Sequence, residues 1–216
     1  MPQSSNIRKA RIRDEMLHRR ARLSKDEDSM AGASKIVSAR LEALPLFKQS
    51  ELVAAYKAVR GEISLEALTE GEHWEKFTFP RIKETALEFV ARSEGQVFTR
   101  GSFGITEPVD GEVIALSEHD IVLVPIVAFD ENCNRIGNGG GYYDRALAGA
   151  FTVKGSASST NMSAAPPARS PITIGVAHEF QQVAEVPVEP WDVPLDGIVT
   201  DAGLFTTSLS PEVFAR

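Results

Sequence analysis

The chain has 216 residues, a formal charge of −7 and a single cysteine, Cys133. A chain of this length buries about 70% of the surface that its unfolded form exposes, so its core needs no disulfide or structural metal. One cysteine excludes an internal disulfide and a thiolate zinc cluster, and no stretch reaches the ~20 apolar residues of a membrane-spanning helix. We therefore expect a single domain over residues 1–216, located in the cytoplasm and without a membrane partner.

The first 25 residues are strongly basic, unlike the rest of the chain. They hold eight basic side chains against Asp14 and Glu15, a local charge of +6 that leaves −13 for the remainder. Such a segment is compatible with a targeting peptide, a nucleic-acid-binding arm, a solvated helix face or a phosphate-binding element. The lack of an apolar core excludes a signal peptide, and the two acidic residues disfavour a transit peptide. The acidic remainder argues against a nucleic-acid partner.

Residues 6–22 are predicted to form a helix, because they contain good helix formers and neither Gly nor Pro. Three apolar residues fall on one stripe at helical spacing: Ile12, Met16 and Leu23. Three cations lie beside this stripe and would sit at its rim once it packs on a core: Lys9, Arg13 and Arg20. Arg11 and Arg22 point away from it, so we expect them to face solvent.

Helices and strands alternate along the next part of the chain. Ser24 followed by Glu27 is a capping box for a second, amphipathic helix that stops at Pro45. A short buried strand is predicted at 52–56, a helix at 64–76 and a strand at 77–82. Pro80 places the second of these strands near a sheet edge or a strand end. Residues 86–92 fit a strand and a helix equally well.

The most apolar run is IVLVPIVA at 121–128. An unbroken apolar run suits a strand that is covered on both faces, as in a parallel sheet. Residues 139–147 then supply a loop and a helix, and further strands are predicted at 172–177 and 197–200. This alternation predicts a layered α/β domain. The Ser-, Ala- and Pro-rich segment 155–171 has almost no apolar content, which predicts a flexible surface insertion.

The segment FDENCNRIGNGGGYYDR, residues 129–145, is the most informative part of the chain. Four of the five residues 137–141 are glycines, so the loop requires positive φ angles or close approach of a ligand to its main chain. Open α/β sheets bind ligands between a strand and the following helix, and a helix start offers free N–H groups to a phosphate. The alternative is a tight turn, since Asn138-Gly139 is a hairpin signal, but a two-residue hairpin does not need three consecutive glycines.

Familiar nucleotide and calcium motifs fail on spacing. No Gly-Lys-Ser/Thr follows the glycines, which excludes a Walker A loop, and the third glycine of the dinucleotide fingerprint is missing. Asp130, Asn132 and Asn134 mimic the start of a calcium loop, but Arg135 stands where that loop requires glycine. The cations that neutralise a phosphate must therefore come from elsewhere. The candidates are Lys9, Arg13 and Arg135.

The residues after the glycines carry candidate chemistry. Tyr142 and Tyr143 can stack on a flat ligand or simply pack against the start of the helix. Asp144 either complements the helix dipole or binds a Mg²⁺ that bridges phosphate oxygens. Asp192 and Asp196 in WDVPLD are possible second metal groups, although taken alone they are acids near a turn.

Together these residues resemble the 5-formyltetrahydrofolate cyclo-ligase family, also called methenyltetrahydrofolate synthetases. The match runs from KARIRDEMLHRR through YKAVRGEI, FPRI, GITEP and VPIVAFDENCNRIGNGGGYYDR to DVPLDGIVT, and so covers nearly the whole chain except 155–171. The resemblance implies a three-layer α/β/α Rossmann-like domain with a mainly parallel sheet. It also implies ATP- and Mg²⁺-dependent closure of 5-formyltetrahydrofolate to 5,10-methenyltetrahydrofolate, with release of ADP and phosphate. We expect the protein to be a monomer.

The resemblance further implies roles for individual residues. Lys9 and Arg13 are similar to a pair that holds ATP phosphates. The implied nucleotide loop consists of Arg135, Gly137, Asn138, Gly139, Gly140, Gly141, Tyr142 and Tyr143. Asp144 resembles the Mg²⁺ ligand of the family, with Asp192 as its partner, and the implied catalytic residues are Arg135, Tyr143 and Asp144. The implied folate contacts are Lys57, Glu62, Phe103 and residues 139–143.

Three other functions stay open at this point. One is a nucleotide-binding regulator without folate turnover, and another is a phosphosugar isomerase or CoA-transferase-like enzyme that works without ATP, because similar folds host those reactions. The third is a nucleic-acid-binding module built on the basic segment. Neither Cys133 nor any of the four histidines stands in a triad-like context, so no protein nucleophile is expected. We expect the histidines to be surface or structural residues.

Overall fold

The computed structural model describes residues 2–152, 171–207 and 214. Its α-helices are α1 (Pro2–Leu23), α2 (Glu27–Ala43), α3 (Pro45–Gln49), α4 (Glu66–Thr69) and α5 (Tyr142–Thr152). Its strands are β1 (Val53–Ala54), β2 (Phe77–Lys83), β3 (Ala86–Ala91), β4 (Phe98–Arg100), β5 (Thr106–Pro108), β6 (Val113–Ile114), β7 (Ile121–Pro125), β8 (Ala128–Phe129), β9 (Arg135–Ile136), β10 (Ile172–Val176), β11 (Gly197–Val199) and β12 (Leu204–Thr206). The predicted insertion at 155–171 lies outside the described residues, apart from residue 171.

An eight-stranded sheet organises the fold, with the strand order β12, β11, β10, β7, β1, β2, β3, β6. Strands β11, β10, β7, β1 and β2 run parallel to one another, and antiparallel strands flank this group on both sides. In the centre, Val53 of β1 is in register with Ile121 of β7 and Phe77 of β2. The apolar run at 121–128 therefore supplies a central parallel strand. The predicted α/β fold with a mainly parallel sheet is confirmed.

The sheet separates two buried hydrophobic clusters, because successive side chains of a strand point to opposite faces. Leu123 belongs to one cluster together with Leu41 of α2. Val122 and Val124 belong to the other cluster, which includes Leu147 of α5. Helices thus cover both faces of the sheet, which produces the three predicted layers.

Helix α1 packs on the body of the protein through its predicted apolar stripe. Met16 is buried in a third cluster with Val127, Ala128 and Ile136, and Ile12 packs against that cluster.

The predicted positions of the arginines on α1 are only partly correct. Arg11 and Arg22 are exposed, as predicted, but Arg20 is completely buried, so the predicted position of Arg20 at the rim is wrong. Arg20 follows the buried Met16 by about one helical turn, and it therefore faces the interior in the same direction.

Two predicted helix boundaries differ from the structure. Helix α2 is capped by Asp26 rather than Ser24, because the Asp26 carboxylate accepts a hydrogen bond from the Ser29 amide at 3.0 Å. The helix predicted at 64–76 is reduced to α4 and a 3-10 turn, Trp74–Lys76. Gly71 lies between these two pieces, and glycine disfavours a continuous helix.

Strand β2 lies inside the sheet rather than near its edge, since β1 and β3 flank it. Pro80 is nevertheless compatible with this position. The parallel pairing with β1 ends at Thr78, so Pro80 lies beyond the stretch that pairs with β1. Residues 86–92, which were ambiguous in sequence, form β3 as the antiparallel partner of β2.

Candidate active site

A cavity of about 670 Å³ lies where the loops after β1 and β7 separate. From β1 the chain continues to β2 on one side, whereas β7 and β10 lie on the other side of β1. Open α/β sheets bind ligands at such a switch point, outside the carboxyl ends of the strands. Tyr56 and Glu62 from the segment after β1, and Val124 and Pro125 at the end of β7, line the cavity.

Every site residue predicted from the sequence lines this cavity except Phe103 and the alternative metal group Asp196. Phe103 belongs to the 3-10 turn Ser102–Gly104, and its side chain lies outside the described part of the structure. The cavity brings together parts of the chain that are distant in sequence: Lys9 of α1 forms an ion pair with Asp192, 183 positions away. The fold therefore assembles the candidate residues in one place.

A hairpin of β8 and β9 precedes the glycine loop. Its turn is closed by Asp130, whose Oδ1 accepts hydrogen bonds from the amides of Asn132 and Asn134 at 3.0 and 3.1 Å. The residues that mimic a calcium loop thus form a side-chain-to-backbone turn. The alternative of a hairpin turn at Asn138-Gly139 is not supported, because the paired strands lie before those residues.

The glycine loop has the backbone geometry that its composition predicts. Gly139 and Gly141 have φ angles of +97° and +65°, which residues other than glycine rarely adopt. Arg13 of α1 contacts the loop, because its Nε donates a hydrogen bond of 2.8 Å to the Gly137 carbonyl. Helix α5 begins at Tyr142, directly after the glycines, so the N–H groups of its first turn lack intrahelical acceptors.

Arg135 is the central cation of the loop. It is 9% exposed, its Nη2 donates a hydrogen bond of 2.5 Å to Asp144, and its Nη1 donates to the Val193 carbonyl. Burial lowers the pKa of Arg135, while Asp144 and Asp192 raise it. Burial also lowers the pKa of Arg13. Both guanidinium groups nevertheless stay charged, because arginine does not lose its proton in proteins.

Glu62 also lines the cavity and is 7% exposed. Its Oε1 accepts a hydrogen bond of 3.3 Å from the Asn138 amide group and lies 3.5 Å from Nη2 of Arg20. Its Oε2 accepts a hydrogen bond of 3.1 Å from the Val59 amide. Burial raises the pKa of Glu62, and Arg20 opposes this shift. A buried carboxylate thus faces the same cavity as the glycine loop.

Comparison with known proteins identifies the family. The model of the 5-formyltetrahydrofolate cyclo-ligase family matches residues 5–201. The chain belongs to this family. A 5-formyltetrahydrofolate cyclo-ligase of Haemophilus influenzae is 33% identical over 160 residues, which cover 70% of this chain and 76% of that protein. One from Escherichia coli is 38% identical over 89 residues, which cover 41% of this chain and 40% of that protein.

Solved structures agree with this assignment. A 5,10-methenyltetrahydrofolate synthetase of Aquifex aeolicus superposes with a TM-score of 0.74 at 30% identity and covers 93% of both chains. A 5,10-methenyltetrahydrofolate synthetase from Mycoplasma pneumoniae shares the fold with a TM-score of 0.63 at 21% identity, over 89% of this chain and 98% of that chain. The family predicted from the sequence is confirmed, and the protein is a ligase of this family.

The acidic residues of this cyclo-ligase fit a Mg²⁺ that is shared with phosphate. Asp144 and Asp192 both interact electrostatically with the Arg135 guanidinium and raise its pKa. The Asp144 side chain is 41% exposed. Mg²⁺ is typically held by one or two carboxylates together with phosphate oxygens and waters. Within the described ranges no three His, Cys, Asp or Glu residues cluster as a metal site. Asp196, the alternative second group, instead accepts hydrogen bonds from the Thr173 amide and hydroxyl at 2.8 Å each.

Two further side chains of the cyclo-ligase cavity present polar groups. The Tyr143 hydroxyl is buried and finds no hydrogen-bond partner among the described residues. Burial raises the pKa of Tyr143, so the hydroxyl stays protonated. Lys57 pairs with Glu70 at 3.1 Å, and its Nζ lies 4.8 Å from the centre of the Phe79 ring and 5.2 Å from that of Phe98.

Sequence reasoning gave no site role to Arg20 or to Glu107. Glu107 lines the cavity, is 7% exposed, and its Oε1 finds no hydrogen-bond partner in the described part of the chain. A Cβ on Gly101 would lie 2.5 Å from the carboxyl carbon of Glu107, so a side chain at that position would displace the Glu107 carboxyl group. The signal for Glu107 was present in GITEP, a motif that supports the family resemblance. Arg20 likewise ends the motif KARIRDEMLHRR, but the sequence placed it at the rim of the apolar stripe rather than against a buried carboxylate.

The histidines and the cysteine have structural environments. His18 and His73 are exposed. His119 bonds to the Thr78 hydroxyl at 2.8 Å, and His178 bonds to the Gly61 carbonyl at 3.1 Å. Cys133 is buried as a free thiol. None of the described helices is long and apolar enough to span a bilayer.

Proposed function

We propose that this protein closes 5-formyltetrahydrofolate to 5,10-methenyltetrahydrofolate in an ATP- and Mg²⁺-dependent reaction that releases ADP and phosphate. One observation carries the proposal: a single cavity joins the cations of α1, the glycine loop and the buried carboxylate of Glu62. The first two features suit a triphosphate, and the third suits a ring with N–H donors. Family membership supports the same reaction.

Lys9, Arg13 and the start of α5 would hold the ATP phosphates. Lys9 is already engaged with Asp192, and Arg13 with the Gly137 carbonyl, so both cations are oriented before a ligand arrives. The N–H groups at the start of α5 add directional donors and a partial positive charge. Such groups bind a triphosphate without a Walker lysine.

Asp144 and Asp192 would hold the Mg²⁺ together with phosphate oxygens. When bound, Mg²⁺ supplies positive charge that offsets the charge of the transferring phosphoryl group. Arg135 keeps Asp144 in position through a hydrogen bond of 2.5 Å and is itself anchored on the Val193 carbonyl. Arg135 also contributes charge close to the phosphates.

Glu62, Tyr143 and Lys57 would bind the folate. An ionised carboxylate accepts hydrogen bonds from N–H groups, and Glu62 is held in place by Asn138 and the Val59 amide. The Tyr143 hydroxyl offers a donor that the described residues leave unused. Phe103 remains part of this proposal through the family resemblance alone.

The reaction requires activation of an amide oxygen, which is a poor leaving group. The formyl oxygen attacks the γ-phosphorus of ATP, the bond to the β-phosphate oxygen breaks, and ADP leaves. The N10 amine then attacks the formyl carbon, the carbon–oxygen bond breaks with release of phosphate, and N10 loses its proton. The residues of the chain position the two substrates and stabilise phosphoryl charge, so no protein nucleophile is needed.

A direct assay tests the proposal. Purified protein is mixed with 5-formyltetrahydrofolate and Mg-ATP, and the absorbance of the methenyl product is followed, with ATP omitted in the control. ATP-dependent product formation is expected. Nucleotide binding without product would support a regulator instead, and product without ATP would refute the phosphoryl activation step. Salt-sensitive binding to RNA or DNA would favour a nucleic-acid-binding module.

A further inference from the structure

Arg20 is a buried cation that connects two chain segments beside the cavity. Its side chain is 1% exposed. Nε donates a hydrogen bond of 3.2 Å to the Arg60 carbonyl, and Nη1 donates one of 3.4 Å to the Ile126 carbonyl. Nη2 lies 3.5 Å from Oε1 of Glu62. The guanidinium therefore contacts the segment after β1, the segment after β7 and the carboxylate that faces the cavity.

A charge at this position is not needed for packing. Burying an ion pair is unfavourable relative to well-packed apolar side chains of similar size, so a buried arginine contributes little to stability by itself. It does, however, determine the state of its partner, because an uncompensated buried carboxylate takes up a proton. The partner of Arg20 is Glu62, which lines the cavity.

On the basis of the proposed function, we infer that Arg20 is a positioning residue that keeps Glu62 ionised and oriented toward the folate ring. Asn138 assists from the glycine loop by donating to the same oxygen, Oε1, at 3.3 Å. The Glu62 carboxylate thus lies between the arginine of α1 and the loop assigned to ATP.

The groups around Glu62 support the inference that Arg20 keeps it ionised. Burial raises the pKa of Glu62 above the ordinary value of a glutamate, and the effects that oppose it are, in order, those of Arg20, the Val59 amide, Asn138 and Arg60. Three other titratable groups interact electrostatically with this carboxylate or with Arg20: Tyr56, Tyr143 and His178. Burial raises the pKa of both tyrosines and lowers that of the histidine, so all three are uncharged at neutral pH. Loss of Arg20 removes the strongest opposing effect, so the pKa of Glu62 should rise further.

The test measures the Glu62 carboxyl group directly. The full-length protein is labelled with ¹³C at glutamate carboxyl carbons, and the Glu62 resonance is assigned by its absence in Glu62→Gln. Its titration is then recorded in the wild type, Arg20→Met, Arg20→Lys and Asn138→Ala. Arg22→Met is the matched control, because Arg22 is an exposed arginine on the same helix.

We expect the Glu62 titration to move to higher pH in Arg20→Met, to move less in Arg20→Lys, which keeps the charge, and to stay unchanged in Arg22→Met. Asn138→Ala should also move the Glu62 titration to higher pH. Because Asn138 is exposed, we expect this variant to fold and to give a measurement even if Arg20→Met does not fold. Affinity for 5-formyltetrahydrofolate, measured by calorimetry without ATP, should fall at least about tenfold in Arg20→Met at neutral pH.

An unchanged Glu62 titration in folded Arg20→Met would overturn the inference, and so would an unchanged titration in Asn138→Ala if Arg20→Met does not fold. An upward shift with wild-type folate affinity would overturn the link to substrate binding. The titration does not depend on turnover, so its result is distinct from that of the methenyl assay. If the wild type forms no methenyl product, the proposed function fails while the effect of Arg20 on Glu62 is still decided.

Discussion

Replacing Arg13 with methionine isolates the contribution of α1 to nucleotide binding. Methionine preserves most of the apolar stem of arginine and removes the charge and the hydrogen-bond donors. In the wild type, Nε of Arg13 donates to the Gly137 carbonyl at 2.8 Å, and a Cβ on Gly139 would lie 3.5 Å from the guanidinium carbon. The cation therefore contacts the loop proposed to hold the phosphates.

The expected loss follows from these contacts. A hydrogen bond to a charged group contributes about 1.5–3 kcal/mol, which corresponds to a factor of about 10 to 150 in affinity. Arg13 is only half-buried, and solvent screens its charge, so we expect a value near the lower limit for ATP. Affinity for the folate should change little, because Arg13 donates its hydrogen bond to the Gly137 carbonyl and not to Glu62 or Lys57.

Two measurements check this prediction. Calorimetry gives the affinity for Mg-ATP, and the methenyl assay gives the KM for ATP at saturating folate. Arg11→Met is the matched control, since Arg11 is an exposed arginine of the same helix and its replacement changes the net charge equally. If Arg13→Met binds ATP as tightly as Arg11→Met, the proposed role of α1 in phosphate binding is wrong.

Three further predictions concern the loop, the metal group and the cysteine. Asp144→Asn should lower kcat at least about a hundredfold at any Mg²⁺ concentration while the protein still folds, since charge stabilisation by a metal is worth several kcal/mol; wild-type turnover at saturating Mg²⁺ would exclude the role. Gly139→Ala should raise the KM for ATP more than Gly137→Ala does, because φ is +97° at Gly139 and about 1–2 kcal/mol of strain is expected there, whereas a Cβ at Gly137 meets nothing within 4 Å; equal effects would contradict this. Burial raises the pKa of Cys133 to about 11, so its thiolate is scarce below that pH, and an aromatic disulfide reagent at mildly alkaline pH should react only after denaturation; rapid labelling of the native protein would show otherwise.

Much of the fold was predictable because its signals are local. The run IVLVPIVA carries its own burial pattern, and a strand that is apolar on both faces requires a sheet with two covered faces. The consecutive glycines likewise report their backbone angles, since positive φ is a property of single residues. These signals located β7 and the loop before α5 correctly.

Other features could not be predicted because they depend on contacts between distant residues. Residues 86–92 fit two structures by sequence, and pairing with β2 decided that they form β3. The hairpin of β8 and β9 was missed because its turn is closed by side-chain hydrogen bonds of Asp130 rather than by a familiar dipeptide. The cap of α2 moved from Ser24 to Asp26 because a competing side chain two positions later bonds to the helix amide.

The basic first 25 residues illustrate the same division. Their sequence alone determined the helix, its apolar stripe and the positions of Lys9 and Arg13 beside that stripe. Only the tertiary structure decided that Arg20 is buried against Glu62, because the charge of a side chain predicts exposure unless a partner lies within the fold. Periodicity reports which residues share a face of a helix, whereas the chemistry of that face depends on groups that the fold brings from elsewhere in the chain.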